Sequence, residues 1–177
     1  KRAAAVIKAA ERPIIIVGGG IRTQASYEAL VALAERHEIP VVSTLMGKGS
    51  FPNSHPLYLG LYGYHGRIAA NTAITEADVI IGVATRFGDR STGSTLHFAP
   101  QAKIVHIDID PAEVGKNIPA LIPIVGDADH ILGELVAQLK GASHPDWLAR
   151  LHRKAEKHPL ADLSGDVTIP KVLRALK

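Results

Sequence analysis

The residues best suited to chemistry are glycines, an arginine and two aspartates that accompany short apolar runs. Gly18–Gly20 follows the first run, Arg86 follows a later one, and Asp108 and Asp127 end or follow the last two. Glycines let backbone N–H groups approach a pyrophosphate closely, and a guanidinium binds phosphate through charge-assisted hydrogen bonds. Carboxylates accept hydrogen bonds from ribose hydroxyl or adenine amino groups. Together these residue types indicate a nucleotide site.

Each of these residues also has a simpler interpretation. A glycine cluster after a strand is often only a turn, and Gly18–Gly20 lacks the G-x-G-x-x-G spacing of dinucleotide-binding loops. Arg86 could form a surface ion pair, and Asp108 or Asp127 could cap a helix. The nucleotide interpretation therefore depends on whether the fold brings these residues, and Thr44 with them, to one place.

Short apolar runs bounded by Pro, Gly or Asp predict strands that are buried on both faces. These runs cover residues 13–17, 40–44, 78–83, 103–108 and 122–125. The last run contains Pro123, which has no N–H to donate to a ladder, so this strand is predicted at an edge of the sheet.

Apolar residues at helical spacing predict helices between the strands. The helices cover residues 2–11, 67–75 and two apolar stripes, 27–34 and 131–139. Residues 47–66, rich in Gly, Pro and Tyr, are predicted to form an extended loop. This alternation predicts an α/β fold, a doubly wound, mostly parallel, Rossmann-like sheet of about six strands with helices on both faces. The carboxyl ends of such strands converge on one ligand-binding crevice.

Composition fits one globular domain. The 177 residues are 46% hydrophobic, and a net charge of +3 without a basic cluster argues against a nucleic-acid partner. There is no cysteine, which excludes disulfides and thiolate metal sites. We found no signal peptide and no apolar run near the ~20 residues of a membrane span, so we expect a cytoplasmic protein with no membrane partner.

Motifs for other chemistries are missing from the sequence. The nine histidines form no HExxH motif, no serine lies in a G-x-S-x-G elbow, and the segment 47–50 (GKGS) lacks the earlier glycine of a phosphate-binding P-loop. His65 and His106 are interpreted as loop or core histidines. We therefore predict neither catalytic residues nor a metal site in this chain.

Five segments carry a resemblance to a known family. They are PIIIVGGG (13–20), IPVVSTLMGKG (39–49), LGLYGYHG (59–66), RFGDRSTG (86–93) and HIDIDPAEVGKN (106–117). In this order they resemble the central domain of the acetolactate (acetohydroxyacid) synthase large subunit, within the thiamine-diphosphate enzyme family. The last two segments are the most specific, and the resemblance extends over about residues 1–140.

The resemblance implies that FAD binds along the crevice, with little or no redox role in the main reaction. The implied cofactor contacts are Gly19, Thr44, Leu45, Gly63, Tyr64, His65, Arg86, Asp108, Ile109, Asp127 and Ala128. Arg90 is implied to lie near the substrate channel. Residue types and strand ends point independently to five of these contacts, namely Gly19, Thr44, Arg86, Asp108 and Asp127.

The resemblance also implies a domain organisation. Residues 1–140 are predicted as the FAD-binding central domain, and residues 141–177 as a linker toward a missing C-terminal thiamine-diphosphate domain. The catalytic Glu of the family's first domain and the G-D-G…N-N metal motif of its third are absent. We therefore expect thiamine diphosphate and Mg²⁺ only in a full-length, homo-oligomeric parent, and no activity from this chain alone. Trp147 is expected in an exposed apolar surface where the missing domains dock.

Some positions depart from the family pattern. Family members usually carry Gly where Ala84 stands, an acidic or small polar residue at Gly88, and aliphatic or Met residues where Tyr62 and Tyr64 stand. These departures leave an ADP- or CoA-binding middle domain, like that of oxalyl-CoA decarboxylase, as an alternative. A stand-alone NAD-binding protein and a degenerate domain kept only for packing are further alternatives.

Overall fold

The computed structural model describes residues 1–159, 171–172 and 175, so part of the segment predicted as a linker lies outside it. Strands and helices alternate along the described chain. The strands are β1 (Pro13–Val17), β2 (Val41–Ser43), β3 (Tyr58–Leu61), β4 (Val79–Val83), β5 (Lys103–Asp108) and β6 (Ile122–Val125). The helices are α1 (Arg2–Lys8), α2 (Gln24–Arg36), α3 (Ile68–Glu76), α4 (Asp89–Thr92), α5 (Ala128–Gln138) and α6 (Pro145–Lys157).

The six strands form one parallel sheet in the order β3-β2-β1-β4-β5-β6. This order reverses direction between β1 and β4, which makes their carboxyl ends the topological switch point where doubly wound folds bind ligands. Pro123 lies in the edge strand β6, as predicted from its missing N–H. The doubly wound α/β fold is therefore confirmed.

Alternate residues of each strand face opposite layers of helices. Ile15 and Val17 of β1 pack in a core with residues of α1, α2 and α5. Ile14 and Ile16 of the same strand pack in a second core with residues of α3 and α6. All four side chains are fully buried, because the sheet is covered on both faces, and this burial explains the continuous apolar run in the sequence.

One strand lies inside the segment predicted as an extended loop, so that prediction is wrong for residues 58–61. β3 pairs with β2 in parallel, with a register shift between Val41 and Val42. The strand is short and contains Gly60 at a φ of 97°, which an apolar-run search does not recognise as a strand. β3 forms one edge of the sheet, and a pocket lies beyond its carboxyl end.

The expectation that Trp147 is exposed is wrong. Its side chain is only 4% exposed, and its Nε1–H donates to the carbonyl of Pro13 at 3.0 Å. Leu151, one helical turn later, is also buried, so α6 packs an apolar stripe against the sheet and α3. Arg150 adds two hydrogen bonds to Glu76 at 2.7 and 2.8 Å. None of the helices in the described part of the chain is long and apolar enough to span a membrane.

Candidate functional site

The carboxyl ends of β1, β2 and β4 are packed backbone against backbone. The N–H of Gly18 donates to the carbonyl of Val83 at 2.9 Å, and a Cβ at Gly18 would lie 1.9 Å from the carbonyl oxygen of Ala84. A Cβ at Gly47 would lie 2.3 Å from the carbonyl oxygen of Val17. These two glycines are therefore required for packing at the switch point, whereas Gly19 next to them has more room.

Arg86 lies in the loop after β4, and two residues of this loop have an unusual backbone conformation. Ala84 and Phe87 both lie in the left-handed region, with φ values of 49° and 48°. This region is unfavourable for residues with a Cβ and persists only where other contacts impose it. Here the carbonyl of Arg86 accepts a hydrogen bond from Asn117 Nδ2 at 2.8 Å. The Arg86 side chain is 81% exposed.

Arg86 faces a carboxylate that is mostly buried. Its Nε lies 4.0 Å from Glu113 Oε1, and Lys116 Nζ lies 3.3 Å from the same oxygen. The other oxygen, Glu113 Oε2, is buried and has no hydrogen-bond partner among the described residues. A contact of 4.0 Å at the surface is a weak tether, so the guanidinium is free to bind an anion.

Asp108 and Asp127 both organise the backbone that follows them. Asp108 Oδ1 accepts a hydrogen bond from the N–H of Asp110 at 3.0 Å. Asp127 Oδ1 accepts from the N–H of Asp129 at 3.0 Å and caps α5, as its position in the sequence indicated. These bonds occupy one oxygen of each carboxylate, which leaves the other oxygen as a possible acceptor for a ligand hydroxyl or amino group.

A pocket of about 780 Å³ lies beyond the end of β3. Leu45, Gly63, Tyr64, His65 and Arg90, all selected from the sequence resemblance, line it together with residues of α3 and α4. Its volume is in the usual range for sites that hold a small molecule. Tyr64 is 87% exposed at the mouth, and its ring meets that of His65 edge to face at 4.9 Å between centroids.

Asn71 on α3 fixes the loop that forms one wall of this pocket. Its Oδ1 accepts from the N–H of Gly63 at 2.8 Å, and its Nδ2 donates to the carbonyl of Gly63 at 3.0 Å. Gly63 has a φ of 101°, and a Cβ there would lie 2.8 Å from the carbonyl oxygen of Arg90. Sequence reasoning missed Asn71, because its role depends on a contact between α3 and the loop after β3.

Two buried hydroxyl groups lie close to each other, and one of them belongs to Tyr62, which lines the pocket. Tyr62 Oη and Thr85 Oγ1 are buried without a hydrogen-bond partner among the described residues. Burial raises the pKa of Tyr62, and the nearby hydroxyls of Ser91 and Thr85 only partly oppose this shift. Tyr62 is therefore a neutral donor at physiological pH. Of the two tyrosines that depart from the family pattern, only Tyr64 presents its side chain to solvent.

The sequence-selected residues thus fall into two groups at the carboxyl edge of the sheet. The switch-point side holds Gly19, Thr44, Arg86, Asp108, Ile109, Asp127 and Ala128 at the ends of β1, β2, β4, β5 and β6. The β3 pocket is lined by Leu45, Gly63, Tyr64, His65 and Arg90. Parallel pairing puts both groups on the same edge, and the β3 pocket adds a volume of about 780 Å³ there.

Comparison with known proteins decides the family. The family model for the central domain of thiamine pyrophosphate enzymes matches residues 1–135. The chain belongs to this family. The match confirms the resemblance inferred from the five sequence segments.

Several proteins with similar sequences are named as acetolactate synthases. A probable acetolactate synthase large subunit from Methanocaldococcus jannaschii is 54% identical over 97% of this chain. An acetolactate synthase from Mycobacterium bovis is 46% identical over 91% of the chain, and the large subunit from Haemophilus influenzae is 44% identical over 78%. The chain spans 30%, 27% and 24% of the lengths of these relatives.

Proposed function

We propose that this domain binds FAD along the carboxyl edge of its sheet. Gly19 and Arg86 would hold the pyrophosphate, and Asp108 and Asp127 would accept hydrogen bonds from the adenosine part. The isoalloxazine ring would enter the β3 pocket. The observation that carries the proposal is that a polar switch-point side with an available guanidinium adjoins a pocket of about 780 Å³ on the same edge.

The chemistry of both groups fits such a dinucleotide. An exposed guanidinium and glycine backbone at a switch point suit a pyrophosphate, and free carboxylate oxygens suit ribose or adenine. The aromatic and apolar lining of the β3 pocket suits a flat ring, and the buried Tyr62 is one of its lining residues. An ADP-like ligand would use the switch-point side alone and leave the pocket without a role.

We further propose that the full-length protein is an acetolactate synthase. With thiamine diphosphate and Mg²⁺ bound elsewhere in that protein, one pyruvate would lose CO₂ and its two-carbon unit would be joined to a second pyruvate or to 2-ketobutyrate, giving a 2-acetohydroxyacid for branched-chain amino acid biosynthesis. This domain would contribute binding and packing against N- and C-terminal domains in a cytoplasmic homo-oligomer, with Arg90 near the substrate channel. The names of the relatives support this proposal.

An ADP- or CoA-binding middle domain is the second candidate. The observation that favours it is Ala84, whose left-handed φ of 49° stands where the resemblance implies glycine. A side chain at this position changes the backbone next to the switch point and would lower the affinity for a flavin dinucleotide. A stand-alone NAD-dependent enzyme is not proposed, because the chain belongs to a thiamine pyrophosphate enzyme family.

Calorimetric titration with FAD and with ADP separates the two candidates. If the β3 pocket binds the flavin ring, FAD binds at least about tenfold more tightly than ADP, since burying the ring adds apolar contact area. Equal affinities for FAD and ADP would contradict the flavin proposal and support the ADP-binding candidate. FMN, which carries the ring without the adenosine, is the matched control and should bind more weakly than FAD.

A further inference from the structure

His106 lies in β5 between two loops of the switch-point side and is almost fully buried. Its Nε2 lies 2.8 Å from the carbonyl oxygen of Thr85, and its Nδ1 accepts from the N–H of Gly115 at 3.1 Å. Only a neutral imidazole with its proton on Nε2 makes both bonds. Its partners in the neighbouring strands, Gly82 of β4 and Pro123 of β6, carry no charge.

The loops joined by His106 carry candidate ligand groups. Arg86 directly follows Thr85, and the carbonyl of Arg86 accepts the hydrogen bond from Asn117. The ring of Phe87 packs edge to face on His106 at 4.8 Å between centroids, and Phe87 itself has a left-handed φ of 48°. His106 is thus one of the contacts that hold this strained loop in place.

Several groups act on the charge of His106. Burial lowers its pKa below the ordinary value, while the hydrogen bond to the Thr85 carbonyl and the carboxylates of Asp108 and Glu113 act in the opposite direction. The guanidinium of Arg86 lies on the solvent side of Glu113. His106 is therefore neutral at physiological pH and becomes charged only in more acid solution.

We propose that His106 is a positioning residue for nucleotide binding, whose neutral imidazole holds the Arg86 loop against the loop after β5. The inference rests on the proposed nucleotide function of this edge. Protonation places a hydrogen on Nδ1, which then faces the N–H of Gly115 as donor against donor. The bond to Gly115 is lost and the two loops separate. The residues that bind the phosphate and the ribose then no longer lie at a fixed distance from each other.

The test is FAD affinity as a function of pH for the wild-type chain and for His106→Gln. Glutamine can donate to the Thr85 carbonyl but does not titrate in this range. Wild-type affinity should fall at least about fivefold as the pH falls through the pKa of His106, which burial holds below its ordinary value, because binding requires the neutral form. His106→Gln keeps the bond to Thr85 but loses the acceptor for the Gly115 N–H, so it should bind FAD at least about fivefold more weakly than wild type at neutral pH and show a flat pH profile. Ionisation of the ligand is the same in both titrations and cancels.

Nuclear magnetic resonance of the ligand-free chain tests the same link independently. The ring ¹⁵N shifts of His106 should show a proton on Nε2 at neutral pH, and the Gly115 amide signal should move as His106 titrates. A Gly115 amide that ignores this titration, or a Gln variant with the wild-type pH profile, would overturn the inference. A wild-type chain that binds no FAD at neutral pH would instead contradict the proposed function, and the amide signal would still decide the loop coupling.

Discussion

The two sides of the carboxyl edge hold their loops in different ways. The β3 pocket uses glycine at its sharp turn, where Gly63 has a φ of 101° and is clamped by Asn71. The switch-point side instead places Ala84 and Phe87 in the left-handed region, and His106 of β5 and Asn117 hold the loop between them by hydrogen bonds to its carbonyls. The loop at the β3 pocket is therefore relaxed and held by one side chain. The loop on the switch-point side is strained and held by several contacts.

This difference suggests separate roles in binding. The switch-point side presents charge and carboxylate oxygens to solvent, whereas the β3 pocket presents apolar and aromatic surface around a large volume. A ligand with a charged centre and two ring systems would use both sides. Variants on one side should therefore change the affinities for FAD and ADP differently from variants on the other side.

Arg86→Ala should have the largest effect and should affect both ligands. The change removes a charge-assisted phosphate contact worth roughly 1.5–3 kcal/mol, so the affinity for FAD and for ADP should each fall at least about tenfold. Flavin fluorescence titration measures the first value and calorimetry the second. Arg153→Ala is the matched control, since Arg153 is an exposed arginine on α6. Unchanged FAD affinity in Arg86→Ala would remove this residue from the site.

Asn71→Ala should lower the affinity for FAD and leave the affinity for ADP unchanged. The change removes both hydrogen bonds to Gly63, and at about 1 kcal/mol for the pair the affinity for FAD should fall roughly fivefold, while the affinity for ADP stays unchanged. Thr72→Ala on the same helix is the control and should alter neither affinity. A parallel loss of ADP affinity in Asn71→Ala would show that the two sides are not separate.

Ala84→Gly should have the smallest effect, on stability. Left-handed backbone costs alanine about 1–2 kcal/mol, and glycine gives back about 0.4–1 kcal/mol through the entropy of its unfolded chain. The free energy of unfolding should therefore rise by about 0.5–1 kcal/mol, measured by urea denaturation. Ala29→Gly, in the interior of α2, should lower it by about 1 kcal/mol. A destabilised Ala84→Gly variant would show that the methyl group outweighs the strain.

The fold was largely predictable because its sheet is buried on both faces. Continuous apolar runs mark β1, β4 and β5, Pro123 marks the edge, and Asp127 marks the start of α5. β3 was not predictable, because Gly60 and a register shift interrupt its pattern. Trp147 was placed wrongly, because its partner, the carbonyl of Pro13, is distant in sequence.

The candidate site was only partly predictable for the same physical reason. Residues at the end of a strand or shortly after it, such as Asp108 and Arg86, are located by the strand itself. The contacts that hold them come from elsewhere in the chain, as Asn117 and His106 do, and no local pattern marks such contacts. Their use in binding FAD stays a prediction.

The most direct test of the central claim is an absorption spectrum of the chain after FAD has been added and the excess removed. A retained flavin band with a shifted, structured peak is the predicted result, because the ring would leave water for the apolar β3 pocket. A chain that retains no flavin at neutral pH, while it still binds ADP, would contradict the account and assign the edge to an adenine nucleotide without a flavin.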